Sequence, residues 1–349
     1  GERRSEAAAR ALAAGCPKSG DADVCEASLA ALEDHGSDAA RASVETVLRT
    51  RGVADSARHK ALKILKKQDR ARLAAAIPDV VAEYRSLDDG FAVAAIEAVP
   101  ELGLTQVQDI TILIAKDGVA KRRVRVAALN AAEKLQHPAL WTAYVDLITD
   151  SDAKIRVNSA RGLGRSGVPG SVAVPQLTKA ARTDADGNVR AAAMSALRFY
   201  AHPGLLPTLH DAVLLEKNVF AWGHAMELLL VLADRSSVPT LTKVLDQGGE
   251  TMIPESLVRV IQTLVRVGDP AAVPALESLA RRTKEDVVRQ EADAAIRLLK
   301  GPEPERVRII ETYTVVEVHT FDPVAPAPPM PTLAVSVGPD GMAVWANVP

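Results

Sequence analysis

The sequence predicts an all-α fold, a right-handed α-solenoid of about seven to eight helical pairs that ends in a small C-terminal β segment. Three observations lead to this prediction. Short sequence markers recur in phase about every 33 residues between positions 118 and 300. Alanine, leucine and valine dominate the apolar residues, whereas aromatic residues make up only 3% of the chain. After Lys300 the composition changes abruptly to one rich in β-branched residues and proline.

Composition limits the classes of protein to consider. Hydrophobic residues make up 48% of the 349 residues, which is enough for a large core. Small and straight-chain residues favour helices that pack closely in pairs. The net charge is −2, from 42 basic and 44 acidic residues, so no global field attracts nucleic acid or an anionic membrane. No apolar run approaches the ~18 residues that a transmembrane helix needs.

The first fifty residues are rich in alanine, and we predict that residues 1–50 form an N-terminal helical cap. The only two cysteines, Cys16 and Cys25, flank a polar stretch in which Pro17 and Gly20 can turn the chain. They can therefore close a short disulfide loop, which favours a periplasmic or otherwise exported protein. The alternative is a cytoplasmic protein in which both thiols are free.

Two sets of prolines mark the repeat in residues 51–301. Four tetrads of the form apolar-Pro-x-Leu contain Pro175, Pro207, Pro239 and Pro274, and a diverged copy contains Pro78. Proline is tolerated in the first turn of a helix, so we expect each tetrad to open the second helix of a pair. A further set lies in the turns between paired helices, at Pro138, Pro169, Pro203 and Pro270.

A third marker opens the first helix of a pair. It is an apolar residue followed by arginine, as in Val124-Arg125, Ile155-Arg156, Val189-Arg190 and Val288-Arg289. Small residues follow at helical spacing, for example at Ala193 and Ala196, and we expect them to face a neighbouring helix. Three acidic residues precede an arginine by four positions and predict intrahelical ion pairs. These pairs are Asp152–Arg156, Asp186–Arg190 and Glu285–Arg289.

Together these markers resemble the HEAT-repeat family, in particular its bacterial bilin-lyase-like subtype. The resemblance is closest over residues 118–300 and looser over 22–117. The unit at 217–248 departs from the pattern, because Phe220 and Trp222 replace the usual Val-Arg start, and Ser256-Leu257 departs in the next unit. The resemblance implies a superhelix with a concave inner face. It also implies a structural ladder that bridges adjacent repeats, with members Arg125, Asp152, Arg156, Asp186, Arg190, Glu285 and Arg289.

Residues 302–349 form the third predicted region. Arg306 to Phe321 has the composition of a strand, Asp322 to Pro331 is a proline-rich linker, and a turn at 338–341 predicts a terminal hairpin. The long strand has bulky apolar residues on both faces, so we expect it to meet another protein or a second copy of the chain. A small sheet that caps the last repeats is the alternative. The candidate contact residues are Tyr313, Val315, Val316, Phe321 and Trp345.

The sequence shows no catalytic, cofactor-binding or metal-binding motif. The metal-dependent hydroxylases of HEAT-like fold use His-Glu dipeptides, and this sequence has none. His137 and His202 precede equivalent turn prolines, which favours a capping role. The pair His224 and Glu227 is only half of a carboxylate-bridged metal motif. The GxGxxG match that starts at Gly162 ends a helix, whereas a dinucleotide site follows a strand.

One region is strongly basic. Nine lysines and arginines lie between positions 49 and 72, and a shorter basic run occupies 121–125. The candidate basic patch consists of Arg49, Arg51, Arg58, Lys60, Lys63, Lys66, Lys67, Arg70 and Arg72. HEAT-like DNA glycosylases bind DNA along such faces with aromatic residues beside them. Here no aromatic residue lies within the stretch, so a solvated helix face is the favoured interpretation.

The functional hypothesis is a non-catalytic protein-binding scaffold or adaptor within a larger cell-envelope assembly. Long solenoid surfaces let many weak contacts add up without a deep pocket. The alternative is a HEAT-like protein that binds nucleic acid through residues 49–72 and 121–125. An oxidised Cys16–Cys25 pair would discriminate between the two, because it places the protein outside the cytosol.

Overall fold

The computed structural model describes residues 2–19, 22–165, 167–248 and 252–301, together with two short strands. The described part of the chain is overwhelmingly helical. Its α-helices are α1 (Glu2–Ser19), α2 (Ala22–His35), α3 (Asp38–Arg49), α4 (Asp55–Gln68), α5 (Arg70–Ala82), α6 (Asp89–Glu101), α7 (Gln108–Lys116), α8 (Arg122–Lys134), α9 (Leu140–Leu147), α10 (Ala153–Leu163), α11 (Gly170–Thr183), α12 (Gly187–Leu197), α13 (Leu206–Leu215), α14 (Val219–Leu232), α15 (Val238–Gly248), α16 (Pro254–Val267), α17 (Val273–Arg282) and α18 (Asp286–Lys300).

These helices alternate as first and second members of successive pairs. The pairs run from α2 and α3 to α16 and α17, which makes eight pairs within the described residues and leaves α1 and α18 at the two ends. The prediction of an all-α fold built from helical pairs is confirmed for the described residues. The right-handed superhelical path and the exact extents of the predicted cap and solenoid regions stay predictions.

The helices fall into two compact units. The first contains Gly1–Leu163 and Asp184–Ala193, and the second contains Gly164–Thr183 and Met194–Pro349. In the first unit, contacts join neighbouring helices and also next-but-one helices, such as α2 with α4, α3 with α5 and α6 with α8. The second unit repeats this arrangement with α13 and α15, α14 and α16, and α16 and α18. Stacked helical pairs therefore bury the core within each unit.

Small residues bring the helices close together. A Cβ atom on Gly162 would lie 2.2 Å from the ring of Tyr144, so only glycine leaves room for this buried tyrosine. A Cβ atom on Gly164 would lie 2.6 Å from the Cβ atom of Ala196. Ala193 and Ala196 are both buried, and Ala196 meets the neighbouring segment as expected. Two of the three glycines of the GxGxxG match are thus explained by packing.

The expectation that each tetrad proline opens a helix is only partly correct. Pro207 and Pro274 lie in the first turn of α13 and α17, and Pro239 is the second residue of α15. Pro78 and Pro175 instead lie inside α5 and α11. A short 3-10 turn precedes α13, α15 and α17, whereas α11 begins at Gly170 and runs through the equivalent residues without a break. A tetrad proline therefore lies at the start of a helix only in the repeats where a 3-10 turn precedes that helix.

At the N-terminal end, Cys16 and Cys25 lie within α1 and α2, so the stretch between them is mostly helical and not the loop that we expected. Their Cα atoms are 4.5 Å apart and the two sulfur atoms lie close enough to bond. A disulfide bond here would hold the end of one helix to the start of the next. The redox state of this pair in native material stays a prediction.

Two short strands, β1 (Ala334–Val337) and β2 (Ala343–Ala346), pair antiparallel, with Ala334 opposite Ala346 and Val337 opposite Ala343. The predicted strand at 306–321 and the proline-rich linker lie outside the described residues, so the β segment as a whole stays a prediction. None of the described helices combines the length and apolar composition that a membrane-spanning helix requires.

Candidate functional site

Three arginines, Arg58, Arg125 and Arg156, tie successive repeats together, and we call them the arginine ladder. Arg125 is buried, donates from Nε to the carbonyl oxygen of Ala115 at 2.9 Å, and pairs through both terminal nitrogens with Asp150. Arg156 also makes a bidentate pair with Asp184, but through Nε and Nη2, at 2.8 and 2.9 Å. Bidentate guanidinium–carboxylate pairs fix geometry as well as charge, so the ladder sets the spacing between repeats.

Arg58 shows that the ladder extends into the N-terminal repeats. Its Nε donates to the carbonyl oxygen of Leu48 at 2.9 Å, and its Nη1 lies 3.0 Å from Oε2 of Glu83. The guanidinium carbon lies 5.2 Å from the ring centre of Phe91, within the range of a cation–π contact. Sequence analysis placed Arg58 in a basic surface patch, but this side chain is buried and structural.

The acidic partners in the ladder differ from those that the i,i+4 spacing predicted. Asp152 accepts the N–H groups of Lys154 and Ile155 at the start of α10, and Asp186 accepts that of Asn188 at the start of α12. These aspartates are helix caps, a role that competes with pairing to an arginine four residues later. Arg190 donates to the carbonyl oxygens of Asp184 and Ala185, and Arg289 pairs with Asp286 and not with the predicted Glu285.

The carboxylates of Asp150 and Asp184 are held in their charged form. Burial alone would raise the pKa of each carboxylate. Hydrogen bonds from the arginine ladder and from nearby backbone N–H groups outweigh this effect and lower the pKa. Both pKa values therefore lie below the ordinary 3.8. Outside the ladder, hydrogen bonds from Arg85 and Tyr84 lower the pKa of Asp117 to about 2.

The candidate basic patch is largely neutralised. Six of its nine members pair with carboxylates. Lys60 and Arg70 donate to the carbonyl oxygens of Glu26 and Glu101. Lys63 has no such contact in the part of the chain that the structure describes. The carboxylate pairs are Arg49 with Glu45 and Asp79, Arg51 and Arg58 with Glu83, Lys66 with Glu101, Lys67 with Glu33, and Arg72 with Asp38, Glu45 and Asp69. Phosphate binding needs cations that are free to replace counterions. This stretch instead connects helices.

The shorter basic run behaves similarly. Lys121 lies 2.9 Å from Asp89 and Arg122 lies 3.9 Å from Asp152, whereas Arg125 belongs to the ladder. Most cations of both basic stretches are therefore paired within the chain, which weakens the nucleic-acid alternative.

The histidines of the turns cap backbone groups, as predicted. Nδ1 of His137 accepts the N–H of Ala139 at 3.0 Å, and Nδ1 of His202 accepts that of Gly204 at 2.9 Å. Across the described residues, no three His, Cys, Asp or Glu side chains are grouped closely enough to hold a metal ion. The tail residues Tyr313, Val315, Val316 and Phe321, and the side chain of Trp345, lie outside the described part.

An apolar groove in the second unit is the candidate site, and we call it the α14–α16 groove. It encloses about 700 Å³ and is lined by the start of α14, the start of α16 and the segments that precede them. Apolar atoms dominate its lining, with Val219, Phe220 and Ile253 all strongly exposed. Exposed apolar clusters of this kind mark interaction surfaces more often than isolated exposed residues do.

The composition of α14 explains why this groove is apolar. A helix that faces solvent on one side normally has a polar stripe there, but α14 reads VFAWGHAMELLLVL. Its buried face comprises Ala221, Ala225, Met226, Leu228 and Leu229. Apolar residues also occupy the opposite side, where Phe220 is 67% and Val219 is 73% exposed. The helix therefore has more apolar surface than its own repeats bury.

Caps at the helix starts hold the exposed side chains in place. The side chain of Asn218 accepts the N–H groups of Phe220 and Ala221, both at 3.0 Å, which fixes the first turn of α14. Ile253 precedes Pro254, the first residue of α16, where proline fits without loss of a helical hydrogen bond. The apolar groups of the groove thus project from rigid helix starts and not from a loose loop.

Trp222 occupies the position of a ladder arginine. Its indole N–H donates to the carbonyl oxygen of Val213 at 3.1 Å, much as Arg58 and Arg125 donate to carbonyl oxygens ten residues upstream. The tryptophan keeps this local link but removes a charge, and it adds an aromatic surface to the groove. The replacement that broke the repeat pattern therefore builds the site.

Polar and charged residues also line the groove, namely Glu216, Lys217, His224, Glu227, Gln247, Glu255, Ser256 and Arg259. Nδ1 of His224 lies 3.1 Å from Oε2 of Glu227, whose other oxygen lies 3.7 Å from Arg259. A Cβ atom on Gly223 would meet no heavy atom within 4 Å, so this glycine leaves open space in the groove. This arrangement can accept a segment that has apolar side chains, with polar contacts at the same groove to orient it.

Sequence analysis noted Phe220 and Trp222 as departures from the repeat but did not propose a site there. A comparison of equivalent positions in neighbouring repeats could have indicated this site. Counting 32 residues back from Phe220 gives Asn188, and the equivalent residue one repeat earlier is Lys154. An aromatic residue at a position that is polar in sister repeats predicts an exposed contact residue, and the structure places it on the surface.

Comparison with protein-family models gives a match to the model described as HEAT repeats, over residues 111–198 and 141–222. These ranges include the arginines of the ladder from Arg125 onward and reach the start of the α14–α16 groove. A comparison of the sequence with curated proteins gives no match.

Among solved structures, human deoxyhypusine hydroxylase in complex with glycerol is similar at 19% identity, with 86% of this chain and 98% of that chain covered and a TM-score of 0.31. Kap121p bound to Nup53p is similar at 12% identity, with coverage of 82% and 37% and a TM-score of 0.49. An engineered protein is similar at 15% identity, with coverage of 68% and 94% and a TM-score of 0.25. Likenesses at this level carry no argument about activity or partners.

Proposed function

We propose that this chain, a member of the HEAT-repeat family, is a non-catalytic scaffold or adaptor that binds another protein through the α14–α16 groove. HEAT repeats stack helices to present long surfaces, and protein binding is the function that such surfaces serve best. The observation that carries the proposal is the exposed apolar cluster of Val219, Phe220 and Ile253 at this groove. It lies in the repeats that depart from the pattern of the others.

The groove suits binding better than catalysis. Among its ionisable side chains, His224 and Arg259 both lie close to Glu227 and pair with it. Burial of the exposed parts of a few large apolar side chains contributes roughly 25 cal/mol for each Å² removed from water. An aromatic anchor such as Phe220 is the type of residue that dominates binding energy at protein interfaces.

The finer part of the proposal concerns location. We propose that the protein acts outside the cytosol, as a component of a cell-envelope assembly, because two helices are linked through the only cysteine pair in the sequence. We also propose that the predicted C-terminal tail supplies a second contact element, for a partner protein or for a second copy of the chain.

The test compares partner capture by full-length variants in extracts of the native cells. We expect Phe220→Asp to lose a protein that the unchanged chain retains, because a charge in the groove cannot be desolvated without a partner. Phe199→Asp is the matched control, since Phe199 is also an exposed aromatic residue but does not line the groove. If both variants retain the same partners as the parent, the groove is not the binding surface.

A further inference from the structure

Two opposite charges at the α14–α16 groove have no partner among the described residues. Lys217 lies two residues before the start of α14, and Glu255 lies in the first turn of α16. Both side chains are exposed and line the groove, and neither makes an ion pair or a side-chain hydrogen bond within the described residues. Further along the same two helices, opposite charges do meet, since Nη1 of Arg259 lies 3.7 Å from Oε1 of Glu227.

The unpaired charges lie beside the exposed apolar cluster. Val219 and Phe220 follow Lys217 on the α14 side, and Ile253 precedes Glu255 by two residues on the α16 side. An occupant that covers these apolar side chains therefore brings its own flanks close to a positive charge on one side and a negative charge on the other. Charges of opposite sign on the occupant would meet them, and such complementarity selects one partner over others.

The backbone around the groove leaves few donors free for an occupant. The side chain of Asn218 accepts two N–H groups in the first turn of α14. The carbonyl oxygen of Ile253 accepts two in the first turn of α16, where Pro254 has no N–H to give. In the segments before these helices, the N–H groups of Asn218 and Met252 are also bonded within the chain. An occupant that satisfies its own backbone suits such a groove, and an α-helix does so.

From the apolar cluster, the two unpaired charges and the bonded backbone, we propose that the α14–α16 groove takes an amphipathic α-helix of a partner protein. The apolar stripe of that helix lies on Val219, Phe220 and Ile253. An acidic residue on one flank faces Lys217, and a basic residue on the other flank faces Glu255. This inference rests on the proposed function, because it names the kind of partner that the same groove binds.

The test measures how tightly labelled helical peptides of about 18 residues bind the full-length protein, by fluorescence anisotropy. Each peptide has a leucine stripe at helical spacing, and its two flanks are both glutamate, both lysine, or one of each. A helix can enter the groove in either direction, so the mixed peptide can always match both walls. We expect the mixed peptide to bind the unchanged protein about threefold more tightly than either uniform peptide, because exposed ion pairs contribute little individually.

Reversing the charge of one wall should change which peptide binds best. Lys217→Glu makes both walls acidic and should favour the lysine peptide, whereas Glu255→Lys should favour the glutamate peptide. The double variant exchanges the two walls and should restore the preference for the mixed peptide. Lys284→Glu is the matched control, because Lys284 is exposed and lies two residues before α18, as Lys217 does before α14, but does not line the groove.

The inference is overturned if the order of peptide affinities is the same in the parent and in all charge variants. It is also overturned if Phe220→Asp binds every peptide as the parent does, or if a peptide of the same composition with alternating leucines binds equally well. Capture of native partners is measured separately. If Phe220→Asp loses a partner while the peptides ignore the wall charges, the protein-binding function stands and the helical occupant is wrong. If the peptides follow the wall charges while Phe220→Asp keeps every native partner, the preference for a helix stands and the proposed function is wrong.

Discussion

At the scale of single residues, two helical glycines serve opposite purposes. Gly162 in α10 makes room for the ring of Tyr144, whose phenol is buried so deeply that its pKa rises to about 12. Gly223 in α14 faces open space and leaves the groove unfilled. The first glycine serves packing within the repeat stack, whereas the second has no packing role that would explain a residue unfavourable to helices.

Replacing each glycine by alanine should therefore change stability in opposite directions. Gly162→Ala forces Tyr144 to move and should lower the free energy of unfolding by about 1–3 kcal/mol, as overpacked cores do. Gly223→Ala should raise it by about 0.5–1 kcal/mol, because alanine favours the helix and its methyl group meets nothing. Urea unfolding of both variants measures the difference. A loss of stability in Gly223→Ala would mean that the groove is filled.

Residue-scale prediction from sequence succeeded where the cause was local. Nδ1 of His137 caps a turn because its side chain precedes a proline by one residue, and that arrangement can be read from the sequence. The partner of Arg156 could not be read in this way. Asp152 lies one helical turn before Arg156 in the sequence, but in the structure Arg156 pairs with Asp184, 28 residues later. This pair links segments that are distant in sequence, and such contacts cannot be read from local spacing.

At the scale of elements, the period of the markers predicted the helical pairs, but not every helix boundary. Pro78 and Pro175 lie inside helices because residues upstream of them continue the helix. Whether the upstream turn becomes α-helix or a 3-10 turn depends on packing against neighbouring helices, which the sequence does not display. The apolar stripe of α14 was equally visible in the sequence, but its exposure depends on where the adjacent repeats end.

The close approach of Gly164 to α12 gives an element-scale prediction. Ala196 is buried where these segments meet, so Ala196→Leu should force them apart and cost about 1–3 kcal/mol of stability. Ala82→Leu is the matched control, because Ala82 is exposed near the end of α5. Thermal unfolding followed by circular dichroism compares them. Equal melting temperatures for the two variants would show that α12 is rotated relative to the register described above.

At the scale of the whole molecule, stability in a repeat array is carried by contacts between neighbours, so a local change stays local. The predicted disulfide bond between Cys16 and Cys25 would join α1 to α2, far along the chain from the α14–α16 groove. Closing so short a loop stabilises the adjoining helices by roughly 2.5–3 kcal/mol in the loop-entropy model.

Reducing the cysteine pair should therefore loosen one end of the chain and leave the groove intact. We expect hydrogen exchange to accelerate in α1–α3 under reductant, with no change in α14–α16. Mass spectrometry of native, unreduced protein should first find Cys16 and Cys25 joined. Two free thiols would remove the argument for an exported protein, and faster exchange throughout both units would show that the repeats unfold as one.

The indole of Trp222 has a consequence for observing the protein at work. Its ring lines the groove while its N–H stays bonded to Val213, so an incoming segment changes the polarity around the ring without releasing it. Tryptophan emission shifts to shorter wavelength when water leaves the ring. The chain has only two other tryptophans, Trp141 and Trp345, and both can be replaced by phenylalanine. Trp222, at the position where other repeats have an arginine, can therefore report binding in the groove through its fluorescence.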